Sequence, residues 1–353
     1  MVKILGIETS CDETAAAVVE DGQHMHSNVI ASSMDLHVKF GGVVPEVAAR
    51  SHIEAILPVI TESLEVAQCD WDDIDGIAVT YGAGLGGSLL IGVLTARTLA
   101  IAHNKPLYAI NHVEGHVYAN FLTSTSLPGY VMRTTQPKFP MLAIIVSGGH
   151  SQLVLFQDHF SYTLLGVTQD DAIGEAFDKV AKILGLPYPG GPSVSKAAEA
   201  GDIHKYKFPK AKMPGYNFSF SGLKTAVLRQ AQAEIGERFD FPSTKLPERL
   251  SDAQKTNIAA SFQCTAIETI VEKARRAYDE FQPHSVVIAG GVAASAELRR
   301  QLSEALPLPI EYPDFKLCTD NGAMIATLGC FKAMRNQPTA DPFTLDIAPN
   351  LSM

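Results

Sequence analysis

Two stretches decide the fold when set side by side: Ile4-Leu-Gly-Ile-Glu-Thr-Ser10 and Ala143-Ile-Ile-Val-Ser-Gly-Gly149. Each is an apolar run of strand length that breaks into small polar residues. Each is followed by a second apolar run, Ala15 to Val19 in one case and Gln152 to Phe156 in the other. Both therefore read as a strand, a polar turn and a returning strand. Later segments repeat as well. Ile74 to Thr80 is a strand leading into Gly82-Ala-Gly-Leu-Gly-Gly87 and a helix from Ser88 to Ala102. Val286 to Ala289 is a strand ending in Gly290-Gly291, ahead of a helix from Ala294 to Ala305. Two such halves predict a duplicated α/β fold of two lobes with a cleft between them. In sheets of this kind a ligand lies beyond the carboxyl ends of the strands, where the glycine turns fall.

Between these landmarks, Val47 to Leu64 carries apolar residues at helical spacing, and Thr123 to Phe139 has the composition of a connection. The expected division is a first lobe over 1–136, completed by a C-terminal helix within 322–353, and a second lobe over 137–321. The second lobe carries an insertion, 203–225.

The chemistry concentrates in Leu107-Tyr-Ala-Ile-Asn-His-Val-Glu-Gly-His116. Its first four residues read as a short buried strand, Asn111 as a helix cap, and the residues from His112 onward as a helix reaching Phe121. His112 and His116 stand four apart, so on a helix both imidazoles leave the same face, which is how two nitrogen ligands share one divalent metal. A pair of surface histidines with no ligand is the competing reading. Asp320, in Cys318-Thr-Asp-Asn-Gly-Ala-Met324 ahead of a helix from Ala323 to Met334, offers a carboxylate for a two-His, one-carboxylate site. Capping that helix is its alternative role. The HExxH pattern of zinc peptidases does not fit, because the acid here, Glu114, stands in the third place rather than the second.

Composition bounds the rest. A length of 353 residues is enough for two cores, and 46% hydrophobic with 19% charged residues excludes extended disorder. The five cysteines show no paired spacing, which predicts reduced thiols in the cytoplasm. No stretch has the length and apolarity of a membrane helix, and the first ten residues read as a strand rather than a signal peptide. A formal charge of −10 argues against a globally basic nucleic-acid binder, so any RNA contact needs a local patch. One segment qualifies: Ile203 to Ala233 holds no acidic residue, yet carries Lys205, Lys207, Lys210, Lys212 and Lys224 among Tyr206, Phe208, Tyr216, Phe218 and Phe220. It reads either as a polyanion-facing surface or as a solvated loop with its aromatics packed beneath.

The turn Ser147-Gly-Gly-His150 and the pair Gly290-Gly291 offer unhindered backbone N–H groups to phosphate oxygens at matching places of the duplicated fold, which points to a nucleotide or adenylate. Gly82, Gly84 and Gly87 match G-x-G-x-x-G in form, but close packing accounts for them and no acid ends the next strand. Asp178 is placed to read ribose hydroxyls or to pair with Lys182 one turn on. Asp12 and Glu13 sit in the first polar turn, facing the cleft or solvent.

Eight motifs in order then carry a resemblance: Ile7-Glu-Thr-Ser-Cys-Asp-Glu-Thr14, Gly41-Gly-Val-Val-Pro-Glu46, His112-x-Glu-Gly-His116, Ser147-Gly-Gly-His150, Gly174-Glu-Ala-Phe-Asp-Lys179, Tyr188-Pro-Gly-Gly-Pro192, Phe218-Ser-Phe-Ser-Gly-Leu-Lys224 and Cys318-Thr-Asp-Asn-Gly-Ala-Met324. Together they closely resemble the bacterial TsaD family, almost end to end. The resemblance implies the duplicated actin, Hsp70 and sugar-kinase type of fold. It also implies transfer of a threonylcarbamoyl group from threonylcarbamoyl-AMP to N6 of adenosine 37 in tRNA, with TsaB-like and TsaE-like partner proteins and TsaC supplying the adenylate. By position, His112, His116 and Asp320 would hold one divalent metal, Fe(II) ahead of Zn(II). Ile145, Val146, Ser147, Gly148, Gly149, Asp178 and Gly191 would line the adenylate pocket. Ser295 stands where the family has Asn, offering a hydroxyl in place of an amide. Asp12 or Glu13 is the candidate acceptor for the N6 proton. Two other functions compete: a metallopeptidase built on HxxxH, and an ATP-binding scaffold or switch.

Overall fold

The computed structural model describes every residue, Met1 to Met353. In chain order the strands are β1 (Lys3–Glu8), β2 (Glu13–Glu20), β3 (His24–Met25), β4 (Val29–Ser32), β5 (Gly76–Gly82), β6 (Leu107–Asn111), β7 (Ser124–Thr125), β8 (Met141–Val146), β9 (Ser151–Asp158), β10 (Ser161–Val167) and β11 (Ser285–Ala289). The helices are α1 (Met34–Val38), α2 (Pro45–Ala67), α3 (Gly86–Ala102), α4 (His112–Tyr118), α5 (Ile173–Leu184), α6 (Gly190–Ala198), α7 (Ser221–Glu234), α8 (Leu246–Arg249), α9 (Asp252–Phe281), α10 (Ala296–Ala305) and α11 (Gly322–Met334).

The chain divides into two compact units, Met1–Pro137 with Glu311–Met353, and Lys138–Ile310. Residues 311–321, assigned from sequence to the second lobe, therefore group with the first. The reason is local: Arg133 is buried and its guanidinium donates to Glu311 O at 3.0 Å and to Asn120 Oδ1 at 2.9 Å, while Asp314 Oδ2 accepts from Val131 N at 2.8 Å.

In the first unit the sheet order is β6-β5-β1-β2-β3-β7, with β4 also on β2. β1 pairs antiparallel with β2 and parallel with β5. In the second unit the order is β10-β9-β8-β11, and β8 pairs antiparallel with β9 and parallel with β11. The same arrangement around β1 and around β8 is the duplication read from the two opening stretches. β10 and the long helix α9 are additions that the sequence pattern does not announce.

One face of the first sheet packs Leu5, Ile7, Ile77 and Val79 against Ile56, Ile60 and Val93 of α2 and α3. The other face receives α11, and here glycine is required. A Cβ on Gly6 would fall 2.4 Å from Ala326 N, and one on Gly322 would fall 2.5 Å from the carbonyl carbon of Ala16. Strand and helix thus meet backbone to backbone. This draws the start of α11, and Asp320 just before it, down to the ends of the strands that carry the first site.

Candidate metal centre and glycine turns

β6 ends at Asn111, whose side chain accepts from Val113 N at 2.9 Å and Glu114 N at 3.4 Å and so starts α4. His112 and His116 then lie one turn apart on the same helix, ring centroids 4.7 Å from each other. Gly115 between them gives room to Ile325 of α11, whose Cδ1 would be 2.9 Å from a Cβ there, so the glycine serves helix packing rather than a ligand. Asn321, not Asp320, caps α11, accepting from Met324 N at 3.0 Å. With that role taken by its neighbour, Asp320 turns its carboxylate to the imidazoles: Oδ1 lies 3.6 Å from His112 Nε2 and 3.2 Å from His116 Nε2. One donor atom from each of the three residues falls within 4.8 Å of the others.

The donor set fits a cation. Both ring nitrogens of buried His116 lack a hydrogen-bond partner, and the approach of Nε2 to Asp320 is an ion-pair distance without hydrogen-bond geometry. A buried nitrogen left so costs about 1–3 kcal/mol. A divalent cation held by the three residues would satisfy that atom. Two imidazoles and one carboxylate suit Zn(II) or Fe(II) rather than Mg(II) or Ca(II).

Behind the ring of His112 stands a carboxylate that the sequence reading missed. Glu8, fully buried at the end of β1, has Oε2 3.2 Å from His112 Nδ1, and Ser10 Oγ is 3.0 Å from the same nitrogen. Burial alone would lower the basicity of His112, but the negative charges of Asp320 and Glu8 outweigh it and raise its pKa to about 9. Burial would likewise raise Glu8; the charge and hydrogen bond of His112 prevail and hold it below the usual carboxylate range. Glu13 goes the other way. Burial, then the charges of Asp320 and Asp12, push it up to about 9, so at neutral pH it carries a proton. Glu114 is buried too, pushed up to about 7 by burial against the counteracting charge of Lys332. The second place of the HxxxH, where a zinc peptidase has its base, is filled by buried Val113.

In the second unit, Ser147 to His150 closes a tight turn at the end of β8: Ser147 N donates to His150 O at 2.8 Å and His150 N to Ser147 Oγ at 3.1 Å. Ile145 and Val146 are wholly buried in β8, so they present backbone only. Gly148, Gly149 and Gly191 have no atom within 4 Å of where a Cβ would stand, so nothing in the protein's own packing demands glycine there. By contrast, Gly82 and Gly84 are pressed against Ala348 O and Ser10 O, at 2.1 and 2.6 Å from a Cβ, as packing glycines should be. Asp178 forms no pair with Lys182; its Oδ1 accepts from Gly190 N at 2.7 Å and holds the start of α6. Ser295 caps α10, accepting from Leu298 N at 3.3 Å.

In the basic segment the aromatics divide. Tyr216, Phe218 and Phe220 are buried, the last two wholly or nearly so. Lys210 bonds Glu268 at 2.9 Å and also Glu272, and Lys224 lies 3.5 Å from Asp171. Lys205, Lys207 and Lys212 remain exposed.

With this geometry established, the chain can be set beside known proteins. Residues 24–327 match the family model TsaD: tRNA N6-adenosine threonylcarbamoyltransferase. The chain belongs to the TsaD family. A relative of that name from Thermomicrobium roseum is 51% identical over 340 residues, covering 94% of this chain and 92% of the relative. TsaD-family membership makes the chain one of a family of transferases. Among solved structures, HypF of T. kodakarensis superposes with a TM-score of 0.64 at 13% identity, over 95% of this chain and 48% of that one. Component A of the Acidaminococcus fermentans (R)-2-hydroxyglutaryl-CoA dehydratase gives 0.52 at 16% identity, over 95% and 100%. These distant likenesses establish the duplicated actin, Hsp70 and sugar-kinase type of fold. No helix is long and apolar enough to cross a membrane.

Proposed function

We propose that this chain transfers the threonylcarbamoyl group of threonylcarbamoyl-AMP to N6 of adenosine 37 in tRNA, with one divalent metal, Fe(II) ahead of Zn(II), held by His112, His116 and Asp320. The observation that carries the reading is the convergence of those three donors within 4.8 Å in a chain of the TsaD family. The bound ion would supply Lewis acidity toward the carbamoyl carbonyl or the phosphate.

The adenylate is a mixed anhydride, so no protein nucleophile is needed. N6 attacks the carbamoyl carbon, the bond from that carbon to the phosphate oxygen breaks, and AMP leaves with the electron pair. Backbone N–H groups of Gly148 and Gly149 are assigned to the adenylate, supported by the absence of any packing reason for those glycines, while Ser147 N–H closes the turn on His150 O. Gly191 is assigned to the same ligand, with Asp178 fixing the start of its helix and Ser295 contributing a hydroxyl. Asp12 or Glu13, hydrogen-bonded to each other, accepts the N6 proton.

Lys205, Lys207 and Lys212 are the cations assigned to tRNA. TsaB-like and TsaE-like partners are assigned to the complete system. Ile53 and Leu57 of α2 and Leu90 and Leu94 of α3, all exposed, support a partner on the first unit. The reading places the chain in the cytoplasm, where its five free cysteines stay reduced.

The test is transfer of labelled threonylcarbamoyl to tRNA by the purified chain with its partners, before and after chelation, alongside Asp320→Asn. Chelation and the substitution are each expected to abolish transfer, and added Fe(II) or Zn(II) to restore it only in the unsubstituted chain. Full transfer by a chelated, metal-free sample would overturn the reading.

A further inference from the structure

His112 and His116 both face Asp320, yet their far nitrogens are treated differently. His116 Nδ1 has no partner. His112 Nδ1 has two: Ser10 Oγ at 3.0 Å and Glu8 Oε2 at 3.2 Å. The two partners are not equivalent. A hydroxyl can donate or accept and so leaves the tautomer of the ring open, whereas an ionised carboxylate only accepts. Glu8 itself cannot turn away. Its Oε1 accepts from Ser10 N at 2.5 Å and its Oε2 from Thr80 Oγ1 at 2.5 Å, in surroundings that leave it no exposure at all. Three donors, from the backbone at Ser10, from Thr80 of β5 and from His112 of α4, therefore converge on one carboxylate at the end of β1.

We propose that Glu8 is a positioning residue for the metal centre: it accepts the Nδ1–H of His112, which fixes the ring so that Nε2 is the nitrogen facing the point shared with His116 and Asp320. The inference rests on the metal reading above. It deepens that reading by naming what sets the ligand's tautomer and angle. A carboxylate behind a ligating imidazole also makes the ring a stronger donor. Because His116 lacks such support, the orientation of the pair depends on His112, and through it on Glu8. Ser10 is the lesser partner.

The test is a titration of the metal-free full-length chain with Zn(II) against a chromophoric chelator, together with the visible d–d bands of the Co(II) form. Glu8→Gln places an NH2 among three donors and is expected to weaken Zn(II) binding about 10–100-fold and to alter the Co(II) bands. Ser10→Ala should stay within about threefold, because Glu8 still takes the Nδ1 proton. Zn(II) affinity of Glu8→Gln within threefold of the unsubstituted chain overturns the proposal. Should that variant fail to fold by circular dichroism, Thr80→Val decides the matter. It frees Oε2 to turn and is expected to bind about 3–10-fold more weakly, and an unchanged affinity overturns the proposal. A lack of stoichiometric binding by the unsubstituted chain, by contrast, removes the metal reading itself.

Discussion

Gly6 of β1 and Ala326 of α11 meet backbone to backbone, with 2.4 Å between the amide nitrogen of Ala326 and the place a Cβ on Gly6 would occupy. Neither backbone can yield without moving the helix that delivers Asp320. Gly6→Ala is therefore expected to cost about 1–3 kcal/mol or more from overpacking and to weaken Zn(II) binding. Gly222→Ala, at a helical glycine with nothing within 4 Å of a Cβ, should be neutral or slightly stabilising. Urea denaturation of both variants beside the unsubstituted chain measures the difference.

Glu114 makes stability depend on pH in a direction opposite to most carboxylates. Its pKa rises from 4.5 to about 7 on folding, so between those values the folded chain holds more protons than the unfolded one. Stability from this group therefore falls as pH rises from about 4.5 to 7 and levels off above. Relative to the unsubstituted chain, Glu114→Gln should gain stability on going from pH 5 to pH 8, on the order of 2–3 kcal/mol. Denaturant midpoints at the two pH values give that double difference, and a constant offset would refute the assignment.

Asp170 caps a helix from a distance. Phe220 precedes α7 and offers no side-chain cap, and Asp170 accepts instead from Phe220 N at 2.8 Å, Ser219 Oγ at 2.6 Å and Ser221 Oγ at 2.6 Å. Asp170→Ala is expected to lower stability by about 1 kcal/mol, and to speed hydrogen exchange in the first turn of α7. The carboxyl is held below its usual value: burial opposes this, but the serine hydroxyls and backbone N–H groups outweigh it. The stabilisation is thus present above about pH 4 and is lost as pH falls further.

The exposed lysines of the basic segment are separable from the paired ones. Reversing Lys205, Lys207 and Lys212 to Glu should weaken tRNA binding uniformly across tRNA species. It should also reduce the slope of log affinity against log salt by about one for each phosphate that is no longer neutralised. Lys210→Ala, whose side chain is already held by Glu268 and Glu272, should leave that slope unchanged. Filter binding over a salt series distinguishes the two outcomes.

The duplication and the paired candidate ligands His112 and His116 are legible in the chain because each is carried by local pattern. Strand-length apolar runs ending in glycine mark β1 and β8, and helical spacing alone puts His112 and His116 on one face. Glu8 is invisible there for the opposite reason. It is one acid at the end of an apolar run, and its meaning lies in Thr80 and His112, brought beside it by sheet pairing. The basic segment misleads in part because lysines alternating with aromatics resemble a nucleic-acid surface. Tyr216 instead hydrogen-bonds Glu280 of α9 and stacks under Arg276, whose guanidinium carbon is 4.2 Å from the ring centroid. β10 escapes because much of it is exposed and lacks a buried run. Asp320 reads as a possible cap in the sequence, and only the placement of Asn321 in that role releases its carboxylate for the imidazoles.

The close seating of α11 on β1 and β2 also sets an order of events during synthesis. The first strands leave the ribosome long before the helix that covers their second face. Residues 138–310 can complete their own unit while that apolar face is still bare. The His112, His116 and Asp320 centre consequently cannot be completed before α11 has been made. Nascent chains halted ahead of Gly322 would be clients for whatever shields exposed sheet surface in the cell.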